Sequence, residues 1–413
     1  MKINQLLFLL ACSAIFLISC GKTVDNTIPD PNTGDPNTGA PVETEKANTN
    51  YPPAFEGQTR IGSVVTQTPY EWTTLTSDLD APWGIANLPD GRLLITEKGG
   101  SMRIATTTGT VSGPIGGIPK VNDSGQGGLL GLTVDPDFST NRMVYWAFAE
   151  DVSGGTVTSV AKGKLSTDEK NMESVKVIYR AFPAANSNLH YGGRVIFDAT
   201  GHLLVSTGER SSMSTRPLAQ SVNGALGKIV RITTDGAPAP GNPSLNMTDA
   251  APELYSIGHR NPQGIALHPV TGDLWESEFG PRGGDEINRV QPGKNYGWPT
   301  ITYGIEYGGS AIGQPIQQKE GMEQPVYYWD PVISPSGITF YKGNRIPEWQ
   351  NNLFVSSLSA RHIDRLVIEN NKVVGEERLL TGEKERFRDV IQGKDEALYA
   401  ITDSGKLYRI DKK

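Results

Sequence analysis

Short apolar runs, each broken by a tight turn, recur along this chain. Four copies are clear: WGIANLPDGRLLITEK from Trp83, LLGLTVDPDFSTNRMVYWAFAE from Leu129, GGRVIFDATGHLLVSTGE from Gly192 and QGIALHPVTGDLWESEFG from Gln263. Two weaker copies begin at Ser336 and Arg388. Each reads as a strand, a turn carrying Asp or Gly, and a second strand, with alternating or fully apolar patterning. Helix signals are sparse. Six copies, unevenly spaced by roughly fifty to seventy residues, predict an all-β fold, a six-bladed β-propeller with long inter-strand loops over residues 60–413. The 47 glycines suit so many turns.

The first residues read as an address. Lys2 precedes an almost wholly apolar run, residues 6–18, too short to cross a bilayer as a mature helix. That pattern predicts a signal peptide over residues 1–19. Leu17-Ile18-Ser19-Cys20 resembles a bacterial lipoprotein cleavage box, which makes Cys20 the expected lipidation site. The bland alternative is an ordinary secretory signal with a chance cysteine. The lipid reading puts the protein in the cell envelope, anchored on the periplasmic side of a membrane, the outer membrane included. Cys12 and Cys20 are the two cysteines, so the body carries no disulfide and depends on its core. Residues 20–59 repeat DPNTG in tandem and hold few large apolar side chains. They are expected to form a disordered tether.

Net charge is −7, with no basic stripe and no aromatic-basic interleaving, which excludes nucleic acid as a partner.

Two runs carry candidate chemistry. GHRNPQG, residues 258–264, concentrates Arg260, Asn261 and Gln263; EFGPRGGDEIN, residues 278–288, sets Gly280 and Pro281 before Asp285 and Glu286. Pro281 has a fixed φ and no N–H, and carbonyls in such a rigid turn suit a hard cation such as calcium. A guanidinium-amide cluster beside it suits a flat, acidic, oxygen-rich molecule. In a propeller the inner strands converge on one axis, so the leading ends of the repeats share a mouth. Reading those ends gives Gln126, His190, Arg260, Asn261, Gln263, Arg386 and Arg388. Singly, each has an ordinary explanation: a turn histidine, or a surface arginine in the charged run EKERFRD. Trp83, Trp275 and Trp298 read as blade core, His259 and His268 as structural.

The ordered set GQGGLLGL, LHYGGRV, GHRNPQG, GPRGGDEIN, NYGWP and ERFRDVI resembles the soluble pyrroloquinoline quinone (PQQ)-dependent glucose and aldose sugar dehydrogenases, the aldose branch in particular, over nearly all of residues 60–413. The resemblance implies PQQ lying flat over the channel mouth with a calcium ion. It implies oxidation of an aldose at its C1 hydroxyl to a lactone, with electrons passed to an external acceptor. On the matching positions, His190 is the general base and Arg260 the charge beside the reacting quinone oxygens. Gln126, Asn261, Gln263, Tyr307, Arg386 and Arg388 are cofactor contacts, and Trp329 is a candidate cover for the cofactor face. The carbonyls of Gly280 and Pro281 are ligands of the cofactor calcium, and Glu286 and Tyr296 belong to a second calcium site. One departure stands out: where the family places a lysine against the quinone, SSLSARHID has Ser359, with Arg361 or His362 nearby. Two alternatives remain. A sugar-lactone hydrolase on a calcium propeller would need a side-chain cage of Glu, Asn and Asp on the axis. A non-catalytic glycan-binding propeller would do without His190 and Gln126.

Overall fold

The computed structural model describes residues 39–243, 245 and 249–413. The expected signal peptide and Cys20 lie outside the described residues.

Six sheets radiate from one axis. Their innermost strands are Pro82–Asn87, Leu129–Val134, Gly192–Phe197, Pro262–Leu267, Pro335–Phe340 and Phe387–Gln392, here blades 1 to 6. Each inner strand touches the next and the last touches the first, so the ring closes. The fold is the six-bladed β-propeller that the repeats predict, each repeat supplying the two inner strands of one blade. Blade 1 has three strands and the others four. The fourth strand of blade 6 is Tyr70–Thr76, from the other end of the chain; it pairs with Leu407–Lys412 and locks the ring. The one α-helix among the described residues is the four-residue Phe138–Asn141, and no helix there is long and apolar enough to cross a membrane.

Apolar side chains of adjacent blades interdigitate: Leu94 of blade 1 packs with Trp146 and Phe148 of blade 2 in one buried cluster. Truncating such a tryptophan to alanine would cost about 3–5 kcal/mol. Hydroxyls staple the blades together near the axis. Thr96 donates to Leu130 O, Ser206 to Pro262 O and Ser277 to Ser336 O, each from a second strand to the next blade's inner strand.

All six inner strands slip register near their first residues. In blades 1, 4 and 6 the unpaired residues are Trp83, Gln263 and Arg388. A bulge re-aims a side chain that regular pairing would place elsewhere. These three residues line the channel mouth.

The tether expectation fails from residue 39 onward. Residues 39–66 form an arm along the outer edges of blades 4 and 5. Gln58 O accepts from Tyr328 N–H, and Ser63 bridges Glu376 on blade 5. Glu43 pairs with Arg378 at 2.9 Å, and the fully buried Gln58 donates to Pro325 O. The composition argument missed this because little apolar burial is involved. Sheet-edge pairing and hydrogen bonds to buried polar groups order the arm instead.

Candidate active site

The mouth of the channel holds a cavity of about 360 Å³, within the usual range for small-molecule sites. Trp83, Gln126, Gln263, Arg386 and Arg388 line it, with Lys98, Phe279, Leu358 and Asp403. Trp83 is blade core as the sequence predicts, packed with Leu130 and Tyr191, and it also walls this cavity; the Arg194 guanidinium stacks 4.3 Å from its ring centre. Arg386 and Arg388 both fork onto Asp403, at 2.8 Å each. Burial opposes the Asp403 charge, but Arg388 and Arg386 prevail and hold the carboxyl below its usual range. Two guanidiniums with one carboxylate leave net positive charge for an anionic guest.

His190 sits at φ 48°, a left-handed conformation rare outside glycine. The local packing imposes it. A Cβ on Gly208 would come within 2.1 Å of His190 O, so glycine there lets the two backbones touch. The buried Arg210 clamps the loop, donating to Ser187 O, His190 O and Thr156 Oγ1. His190 N–H donates to Gln126 Oε1 at 2.7 Å, and Gly192 N–H donates to Asn261 Oδ1 at 2.9 Å. Gln263 Nε2 donates to the same Asn261 oxygen at 3.3 Å. Four expected site residues are thus joined in one network. His190 Nδ1 lies 2.6 Å from Glu209 Oε1. A carboxylate there selects the Nδ1–H tautomer and leaves the Nε2 lone pair available. Burial and the charge of Arg260 push the imidazole pKa down to about 4, against the pull of Glu209. Sequence reasoning missed Glu209 and Arg210. Their signal was slight: a charged pair directly after an apolar strand at a blade's leading face.

Arg260 is buried beside this group. Its N–H and that of Asn261 donate to Glu278 Oε2. Its Nη1 donates to Phe279 O at 3.0 Å and Gly280 O at 2.8 Å, and Nη2 lies 3.4 Å from the Tyr307 hydroxyl. Gly280 O, an expected calcium ligand, therefore already carries one guanidinium contact and keeps one lone pair. The turn is tight. Gly280 N–H donates to Asp285 Oδ1, and the Ile333 and Ser334 N–H groups take Oδ2. Arg260 Nε and Asn261 Nδ2 are buried without a protein partner. Buried donors are rarely left unmade, so these two point to a guest bearing oxygen acceptors. A planar, carboxylate-rich quinone fits this donor set.

Glu286 and Tyr296 line a second, much smaller pocket with Glu278 and Gly280. The Tyr296 hydroxyl is engaged by Arg289 O and Gln291 N–H, which leaves its carbonyl as the available ligand. The sequence reading passed over His259 here. His259, Glu276 and Glu278 bring ligand atoms within 4.8 Å of one another, and His259 Nδ1 lies 3.5 Å from a carboxylate oxygen of each glutamate. Burial and Glu278 push Glu276 up to about 7, and the same two causes raise Glu286. Such a packed acidic group could hold a cation.

Other expected residues lie elsewhere. Leu358 lines the cavity, whereas Ser359 is exposed and shares a 2.8 Å hydrogen bond with Ser334. Arg361 is exposed, and His362 is turned to Asp364 at 2.9 Å. Trp329 is core rather than a cofactor cover: it is fully buried, with Nε1 toward Glu376. On the axis, where a lactone hydrolase would need its metal cage, Arg194 pairs with Asp389. Arg194 also donates to Gln263 O and Arg388 O, which fixes the backbone of two mouth residues.

The glucose/sorbosone dehydrogenase family model matches residues 79–409. The chain is 39% identical to the aldose sugar dehydrogenase YliI of Escherichia coli (strain K12), over 81% of this chain and 91% of that protein. The apo structure of the soluble aldose sugar dehydrogenase from Escherichia coli superposes with a TM-score of 0.79 at 38% identity, covering 83% of this chain and all of the other. The PQQ-bound aldose sugar dehydrogenase from Streptomyces coelicolor gives 0.69 at 28% identity, covering 84% of this chain and 99% of the other. The arm, residues 39–66, precedes the stretch that the family model matches. This chain belongs to the glucose/sorbosone dehydrogenase family, and is an oxidoreductase of the sugar dehydrogenase type.

Proposed function

We propose that this protein oxidises the C1 hydroxyl of aldose sugars to lactones, with PQQ and calcium as cofactors. The observation that carries the reading is His190. It is a buried imidazole with Nδ1 held by Glu209, joined through Gln126 to a cavity walled by arginines. When bound, PQQ supplies the hydride acceptor and calcium polarises it as a Lewis acid. Arg386, Arg388, Gln126, Gln263 and Asn261 would hold the quinone, and the carbonyls of Gly280 and Pro281 the calcium. His190 Nε2 takes the proton from the C1 hydroxyl as the C1 hydride departs. Glu209 keeps the ring oriented and stabilises the imidazolium that forms. Arg260 offers its charge where negative charge develops. Glu286 and the Tyr296 carbonyl, with Glu278 beside them, are the proposed second, structural calcium site. Lipidation at Cys20 would place the enzyme at a membrane of the cell envelope, where an external acceptor takes the electrons.

The test is dye reduction by the purified chain with added PQQ, calcium and a panel of aldoses. Activity that disappears with chelator and returns with calcium and PQQ is expected. Full activity in excess chelator, with calcium and PQQ shown to be absent, would contradict the cofactor assignment.

A further inference from the structure

We propose that Asn48 and Thr49, on the arm ahead of the propeller, are positioning residues for the carbonyl turn at residues 280–284, acting through Asp330. The functional half of this proposal rests on the calcium reading of that turn.

Asp330 directly follows Tyr327–Trp329, the outer strand of blade 4, and is buried. Its carboxylate is filled from the arm. Oδ1 accepts from Asn48 N–H at 2.9 Å and Asn48 Nδ2 at 2.8 Å; Oδ2 accepts from Thr49 N–H at 2.9 Å and Thr49 Oγ1 at 3.0 Å. Arg60, also on the arm, donates to Asp330 O at 2.7 Å. The clasp bears directly on the turn. A Cβ on Gly283 would lie 2.8 Å from Asp330 Oδ1, so the turn's backbone rests on the carboxylate. Gly284 N–H donates to the neighbouring Trp329 O at 2.9 Å. Asn48 Oδ1 accepts from Arg282 Nε at 2.9 Å, which ties the arm to the residue after Pro281.

The turn is thereby enclosed on three sides: by its own blade, by residues 303–305, and by the arm. Arg282 and Ile305 exchange both backbone hydrogen bonds, and a Cβ on Gly304 would lie 2.3 Å from Gly283 O. Without the arm, a buried carboxylate would lose all four of these hydrogen bonds, two from backbone N–H groups and two from side chains, while pressed against Gly283. Leaving such a charge unsatisfied is costly, so Asp330 would turn outward and free the turn. Backbone carbonyls bind a cation well only when their positions are fixed beforehand.

Amide hydrogen exchange on the full chain, without any ligand, tests the positioning. The double variant Asn48→Ala/Thr49→Ala should exchange at least tenfold faster at Gly280, Arg282 and Gly284. Asp330→Ala should do the same. Glu43→Ala, which cuts the arm's ion pair to Arg378 on blade 5 and leaves the bonds to Asp330 in place, should leave those amides within twofold. Unchanged exchange in both the double variant and Asp330→Ala would overturn the proposal. Calorimetric titration with calcium then tests the functional half: the double variant should bind at least fivefold more weakly than wild type. Faster exchange with unchanged calcium affinity would reduce the arm to a structural brace and overturn its role in the site. Should the wild type bind no calcium, the carbonyl site itself falls, and the exchange result alone decides whether the arm holds the turn.

Discussion

All six inner strands line one end of the axial channel, whereas only those of blades 1, 4 and 6 supply residues to the cavity at the other. The far half is a cavity of about 350 Å³ whose walls are mostly aliphatic, with Ile85, Leu132, Ile196, Ile265, Ile338 and Ile391, joined by Thr133, Thr339 and Lys342. The mouth carries Trp83, Gln126, Gln263, Arg386 and Arg388. The buried Arg194–Asp389 pair lies between these groups, lining the apolar half and donating to backbone carbonyls of the mouth. Regular pairing alternates side chains, and it continues to the apolar end of each strand. At the mouth the register slips, and Trp83, Gln263 and Arg388 are turned into the cavity. One local irregularity repeated around a ring separates a scaffold from a site.

The comparison breaks most visibly at the mouth. His190→Ala should keep quinone binding but lower turnover by ~10²–10⁴-fold, the usual worth of a positioned general base. Steady-state rates within threefold of wild type would remove His190 from the reaction. The pH profile sharpens the same point. Burial and Arg260 depress the His190 pKa to about 4, so Nε2 stays free of its proton throughout the neutral range. The acid limb of kcat/KM should fall near pH 4, with about tenfold loss per unit below it. A limb near pH 6.5 would mean an imidazole exposed to water. The smallest effect is expected at the apolar end. Ile265→Val should cost about 0.5–1.5 kcal/mol in a denaturant melt and leave quinone affinity within twofold. A large loss of affinity there would show that the two halves are not independent.

The fold was legible because its signal is repeated. Six strand-turn-strand units mark six blades, and their leading ends include Gln126 and Gln263, which line the mouth cavity, and His190, which hydrogen-bonds to Gln126. Strand Tyr70–Thr76 was not placed, since its partner Leu407–Lys412 lies at the opposite end of the chain. Glu209 escaped because its role depends on a 2.6 Å approach to His190, set by packing rather than by any motif. Trp329 was open to either reading for a related reason: a tryptophan in a strand looks the same in sequence whether it faces a cofactor or the core, and here it is fully buried. Ser359 was aligned to a cofactor position by a run of letters, but in the folded chain it is Leu358 that reaches the cavity. The arm was misjudged because polar residues that bond buried carboxylates look, in sequence, like polar residues that bond water.

The central claim is that the polar mouth, and not the apolar half, holds the quinone. The most direct measurement is an absorbance titration of the calcium-loaded protein with PQQ, on wild type and on Arg388→Ala. Arg388 is one of the two guanidiniums on Asp403, and a hydrogen bond to a charged group is worth about 1.5–3 kcal/mol. Wild type should saturate at one quinone per chain, and Arg388→Ala should bind on the order of tenfold to a hundredfold more weakly. Saturation at one quinone per chain with the same affinity in both proteins would contradict the placement of the cofactor at the mouth.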